Sequence, residues 1–94
     1  MSRFLIEVPH PKEELACAYA VKIFLTTGSH YLSHADWGCM DDDHRSWMIV
    51  EVDSKDDALR ILPPVMRADA KITQLNKFTL EYIDEIIAHH EKPA

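Results

Sequence analysis

The sequence predicts an α+β protein with a ferredoxin-like βαββαβ order, followed by one more helix. Three observations predict it. Alternating apolar residues mark two strands, Phe4/Ile6/Val8 near the start and Met48/Val50/Val52 in the middle. Helix-like segments with start and stop signals follow each of them. A run of turn-forming aspartates, Asp41–Asp43, separates two strand-like stretches and reads as the tip of a hairpin. This order is the split βαβ arrangement. It implies an antiparallel sheet in spatial order 4-1-3-2, with both crossover helices on one face.

The first strand reads as Arg3 to Val8, with Phe4, Ile6 and Val8 on one face and Arg3, Leu5 and Glu7 on the other. Pro9-His10-Pro11 closes it. Pro11 suits a first helical position, where its missing N–H is not needed, and Glu13 and Glu14 complement the positive end of a helix. That helix is expected from Pro11 to about Thr27, with Gly28 as its left-handed terminator. Its middle, Leu15 to Val21, is apolar nearly all round, which hints at an interface. After a connector at Gly28-Ser29-His30, a second strand is expected over Leu32 to Cys39, then the turn Met40–Asp43, then a third strand from Arg45 to Asp53. Ser54 caps the next helix, and Pro63-Pro64 ends it. One more helical turn is expected over Val65–Ala68, and a fourth strand over Ala70–Phe78. Thr79 caps the last helix, in which Leu80, Ile83, Ile86 and Ile87 form an apolar stripe. Residues 1–90 are expected to form one domain and 91–94 a disordered tail.

On this topology the sheet face away from the helices carries Leu5, Trp47 and Ile49 beside Glu7 and Glu51. That is too much apolar surface for open solvent, and a chain of 94 residues gains from burying more of it. The expectation is a homodimer or higher homo-oligomer, built as a dimeric α+β barrel. The net charge of −6, from 10 basic and 16 acidic residues, argues against nucleic acid as a main partner and equally against an anionic membrane surface. No apolar run is long enough to span a bilayer, and Glu7 interrupts the N-terminus too early for a signal sequence. A cytoplasmic location is expected, with both cysteines as thiols. Whether Cys17 and Cys39 pair is open. No glycine-rich phosphate loop, nucleophile elbow or CxxC pair is present.

The densest chemistry lies in Ser33–Val52, which holds both tryptophans, Cys39, His34 and His44. The hairpin turn should bring Cys39 near His44, and thiolate with imidazole is the normal donor set of zinc and similar ions. The spacing C-x4-H is no recognised metal signature; the plain alternative is a buried thiol beside a turn histidine. His34 and Asp36 are expected on one strand face, and Ala35, Trp37 and Cys39 on the other. Asp41–Asp43 lacks the spacing of a calcium loop and reads as a solvated turn. A second candidate is Glu7 with Glu51, expected close together on one sheet face, on neighbouring strands running parallel, and able to share acid and base roles beside Trp47. Its plain alternative is a charged rim paired with lysines. A third is Cys17 with His10, where Cys17 reads as a small core residue and His10 as a junction residue near a sheet end.

At Asp36-Trp37-Gly38-Cys39, Asp43-His44 and Asn76-Lys77-Phe78-Thr79 the chain resembles a set of small uncharacterised bacterial proteins, over most of residues 3–87. In those proteins a glycine precedes the Asp-His pair; here Asp42 stands there. The resemblance implies a ferredoxin-like fold and no particular activity. More distantly the architecture is similar to dimeric α+β barrels of the muconolactone isomerase and antibiotic-biosynthesis monooxygenase kinds, whose catalytic motifs find no match here.

Three functions follow as expectations. The first is binding of a small organic ligand in a cleft on the open sheet face, lined by Asp36, Trp37, Trp47 and Cys39. If catalytic, it would work by cofactor-free proton transfer, with Glu7 or Glu51 as base and His34 or His44 as acid. The second is a metal-binding or metal-sensing module using Cys39 and His44, with a zinc-like transition metal. The third is an interaction domain without a ligand.

Overall fold

A computed structural model describes residues 1–91. Its elements are β1 (Ser2–Pro9), α1 (Glu14–Thr26), α2 (His30–Ser33), β2 (Asp36–Trp37), β3 (Arg45–Val52), α3 (Lys55–Ile61), β4 (Lys71–Leu75) and α4 (Leu80–His90). The four strands form one antiparallel sheet in the order β2-β3-β1-β4, the order expected. Phe4 pairs with Val50, Ile6 with Met48 and Val8 with Ser46. This register puts every buried side chain of β1 and β3 on one face. Phe24 from α1, Leu32 from α2 and Ala58 from α3 close over that face in a single cluster, so both crossover helices lie on the same side. Phe24 and Ile6 are fully buried, and each contributes about 2–3 kcal/mol by leaving water.

Several boundaries moved for local reasons. α1 begins at Glu14 rather than Pro11, with Glu13 still extended at φ −61°, ψ 137°; the Pro11 carbonyl accepts a hydrogen bond from His10 Nδ1 (2.9 Å). Gly28 ends the helix at φ 80°, as expected of a left-handed terminator. The long second strand does not form. Ser29 Oγ accepts from the Leu32 N–H and starts the one-turn helix α2, which delivers Leu32 to the core, so only Asp36–Trp37 remain as strand. The helical turn after Pro63 covers Pro64–Met66, and β4 stops at Leu75. Ser54 and Thr79 cap α3 and α4 through the N–H groups of Asp57 and Tyr82, the two caps expected. The expected tail lies outside the described residues except for Glu91, which closes α4.

α4 does not fold back onto the sheet. The described chain extends 60 × 29 × 21 Å with a radius of gyration of 17.7 Å, against roughly 12 Å for a compact chain of this length. Leu80, Tyr82, Ile86 and Ile87 are all exposed, as is Ile49 on the open sheet face. No described helix is long and apolar enough to cross a membrane.

Candidate metal centre

The site is built where β1 ends and β3 begins. Extending the Pro9–Arg45 pairing by one step sets His10 opposite His44, and the His10 N–H donates to the His44 carbonyl (3.0 Å). Between β2 and β3 the chain makes a tight knot. Cys39–Asp41 form a 3₁₀ turn, and the N–H groups of Asp41 and Asp43 both donate to the Gly38 carbonyl (2.9 and 3.0 Å). Gly38 is required by close approach. A Cβ there would stand 2.6 Å from the Asp43 carbonyl oxygen and 2.7 Å from the Trp47 ring. Asp42 adopts φ 59°, ψ 21°, a left-handed conformation that favours glycine and that Asp and Asn tolerate better than other residues.

This knot aims three donor groups at one another. Among the described residues, His10, Cys39 and His44 each offer one donor atom, and all three atoms lie within 4.8 Å of one another. The ring tautomers follow from their partners. A carbonyl can only accept, so His10 Nδ1 carries the proton it gives to Pro11, and the lone pair of Nε2 faces Cys39 Sγ at 3.1 Å. Likewise an ionised carboxylate can only accept. His44 Nε2–H therefore donates to Asp42 Oδ1 (3.0 Å), leaving Nδ1 as the inner nitrogen. His44 Nδ1 is buried and has no hydrogen-bond partner among the described residues. Both imidazoles are held from outside by an oxygen and present a free nitrogen inward, the arrangement usual for metal-ligating histidines. Among the described residues, Ser46 Oγ is the other buried side-chain atom without a partner; it faces the core and joins no donor cluster there.

The donor set fits a thiolate-tolerant transition ion. With metal–sulfur bonds of about 2.3 Å, metal–nitrogen bonds of about 2.1 Å and tetrahedral angles, sulfur and nitrogen on one ion stand about 3.6 Å apart and two nitrogens about 3.4 Å. Cys39 Sγ and His10 Nε2, at 3.1 Å, would part slightly. The widest separation in the cluster, within 4.8 Å, would close by at most roughly 1.4 Å through side-chain rotation. Trp37 lies behind His10, tilted at 45° with ring centroids 5.6 Å apart, and is itself packed on Phe24 at 4.9 Å, so the His10 ring has a wall on that side. Cys17 on α1 reaches the same place, and its thiol donates to Cys39 Sγ at 2.9 Å. Both thiols are free and half-buried. Burial, with the Cys17 hydrogen bond and charge added, pushes the Cys39 thiol up to about 11. A cavity of about 350 Å³ adjoins the cluster, walled by Lys12, Cys17, Cys39, Met40 and His44.

The other expected site residues go elsewhere. β1 and β3 run antiparallel, not parallel, so Glu7 pairs with Trp47 while Glu51 pairs with Arg3. Four register steps separate the two carboxylates, roughly 13 Å along the strand, and they cannot share a proton. Glu7 Oε1 accepts from Trp47 Nε1 (3.1 Å) and lies 3.7 Å from Arg45; it is a paired charge on the open face. Glu51 borders a polar cavity at the opposite end of the sheet. His34 falls at the end of α2 rather than in a strand, and its Nδ1 donates to the His30 carbonyl (2.8 Å). Asp36 is exposed and pairs with Trp47 on the face away from the cluster. Of the expected group, Cys39, His44 and Trp37 come together. His10 and Cys17, the third candidate pair, join them, although that pair was expected to be a core thiol and a junction residue apart from the hairpin. The register that pairs Phe4 with Val50 already implies the His10–His44 contact, and is the signal that finds it.

No family model matches this chain, and no curated protein or solved structure matches it. The likeness to small bacterial proteins and to dimeric barrels thus stands here as an α+β fold with a four-stranded antiparallel sheet.

Proposed function

We propose that this protein is a small metal-binding module whose centre is His10, Cys39 and His44. The observation that carries the reading is the pair of pre-oriented imidazoles, above all the buried, partnerless Nδ1 of His44. A buried nitrogen without a partner costs about 1–3 kcal/mol, and a ligated ion removes that cost. One thiolate with two imidazoles suits zinc-like ions. Three protein donors beside a cavity leave room for an exchangeable fourth ligand, as in zinc sites that bind or transform small molecules. The small-ligand reading is favoured by the same cavity, and it moves from the open sheet face to the Lys12–Met40 pocket. The segments that resemble small bacterial proteins, Asp36–Cys39 and Asp43–His44, flank this cluster, which is in keeping with a shared site. Free thiols fit a reducing, cytoplasmic setting.

A second copy of the chain is the proposed partner. The stripe Leu80/Ile83/Ile87 on α4 and the face Leu5/Trp47/Ile49 on the sheet are both apolar and, among the described residues, exposed or half-buried. The helix also carries Glu81, Asp84 and Glu85, and the sheet face carries Arg3, Arg45 and Lys71 beside Glu7, Glu51 and Asp36, so the apolar surface and not the charge favours the pairing. A two-fold pair would satisfy both surfaces twice.

The test of the metal reading is zinc affinity, measured by competition with a chromophoric chelator on reduced protein. Wild type should take one zinc per chain, and Cys39→Ser and His44→Ala should each lose at least 100-fold. Equal binding by wild type and both variants would exclude this centre.

A further inference from the structure

The metal reading leaves Cys17 without a task, yet its sulfur lies 2.9 Å from that of Cys39. These are the two cysteines of the chain. One sits on α1 and the other in the 3₁₀ turn, and both border the 350 Å³ cavity that gives small reagents a path to them. Cys39 Sγ has two neighbours, His10 Nε2 on one side and Cys17 Sγ on the other. It can serve as a metal ligand or as one half of a disulfide, but not both.

We propose that Cys17 and Cys39 form a reversible intramolecular disulfide that withdraws Cys39 from the His10/Cys39/His44 centre and so makes metal binding depend on redox state. This rests on the metal reading above. With a hydroperoxide as oxidant the chemistry balances in two steps. Cys39 loses its thiol proton to the solvent, leaving the thiolate that reacts. The sulfur then attacks the peroxide, the O–O bond breaks, and Cys39 becomes a sulfenic acid with loss of one water or alcohol. Cys17 sulfur attacks next, the S–O bond breaks, the S–S bond forms and a second water leaves. Two thiols are oxidised by two electrons and one peroxide is reduced. A thiol reductant reverses the bond by exchange. The centre and the thiol pair are linked reciprocally: bound metal protects Cys39 from oxidation to the same degree that oxidation weakens the metal.

The test treats reduced full-length protein with a stoichiometric amount of hydrogen peroxide and reads two quantities. Intact mass after alkylation reports the bond, and chelator competition reports zinc affinity. The oxidised wild type should lose the mass of two hydrogens, take up no alkyl groups and bind zinc at least 100-fold more weakly, with recovery on adding dithiothreitol. Prior zinc loading should slow the loss. Reduced Cys17→Ala should bind zinc as wild type does, and on oxidation should carry a dimedone-reactive sulfenic acid at Cys39. Oxidised wild type that holds zinc unchanged, or that carries intermolecular disulfides or sulfinic acid in place of the internal bond, overturns the proposal. Failure of reduced Cys17→Ala to bind zinc would make Cys17 a ligand and overturn the division between the two thiols. If the reduced wild type binds no zinc, the metal reading and the gating fall together, and the mass alone still decides whether the thiols pair.

Discussion

Asp42 is the residue at which stability and metal binding should move apart. It occupies φ 59°, ψ 21° and holds His44 Nε2 at 3.0 Å. Asp42→Gly removes both features at once. A side chain in the left-handed region costs about 1 kcal/mol or more. Glycine relieves this but adds unfolded-chain entropy of about 0.4–1 kcal/mol. The two nearly cancel, so the metal-free protein should melt within a few degrees of wild type, and no lower. The metal should behave differently. Losing the oxygen that fixes a ligating imidazole costs about 10- to 100-fold in affinity. The Asp42 side chain is 96% exposed, where water weakens the bond, so the loss should be near 10-fold. Asp42→Asn keeps the backbone preference and an acceptor oxygen without the charge, and should fall between. Thermal unfolding by circular dichroism and zinc competition on the same preparations give the two readings. An Asp42→Gly protein that binds zinc like wild type would refute the role of the carboxylate. One that melts far lower would refute the account of the turn.

Three further outcomes are expected. Gly38→Ala drives a methyl group to within 2.6 Å of a carbonyl and 2.7 Å of the Trp47 ring, and should cost about 1–3 kcal/mol by overpacking, read as a lower urea midpoint. Folding lifts the Cys39 thiol from the ordinary 9.0 to about 11, so the folded state keeps a proton that the unfolded chain gives up. The associated stability is fully present below pH 9 and is lost as pH rises to about 11; Cys39→Ser should flatten that part of the stability–pH curve. For assembly, Ile83→Asp puts a charge in the middle of the α4 stripe, and light scattering after gel filtration should report a monomer where wild type is a dimer. A wild-type monomer would remove the second copy from the account.

The fold was legible because its signals are local and mutually consistent. The alternation at Phe4/Ile6/Val8 and Met48/Val50/Val52, the caps at Ser54 and Thr79, and the stop at Gly28 each depend on neighbours in sequence. The second strand failed where two local signals competed. Ser29 capping a helical turn outweighed the strand-like pattern of residues 32–39, and this moved His34 and Asp36 off a shared face. The site was legible as one cluster only at Cys39 and His44, which one turn joins; His10 with Cys17 stood out as a pair but not as part of that cluster. His10 and Cys17 arrive through tertiary structure, one by strand register and the other by helix packing, and neither spacing announces them. Glu7 and Glu51 were misread by strand direction: on antiparallel strands, residues near opposite ends of two neighbours separate, and these two belong to different ends of the sheet.

The most direct test is the absorption spectrum of the reduced protein titrated with cobalt(II), an open-shell stand-in for zinc. A thiolate-to-cobalt charge-transfer band should rise to saturation at one equivalent per chain in wild type, be absent in Cys39→Ser, and weaken in His10→Ala and His44→Ala. A wild-type spectrum equal to that of Cys39→Ser would contradict a centre built on Cys39.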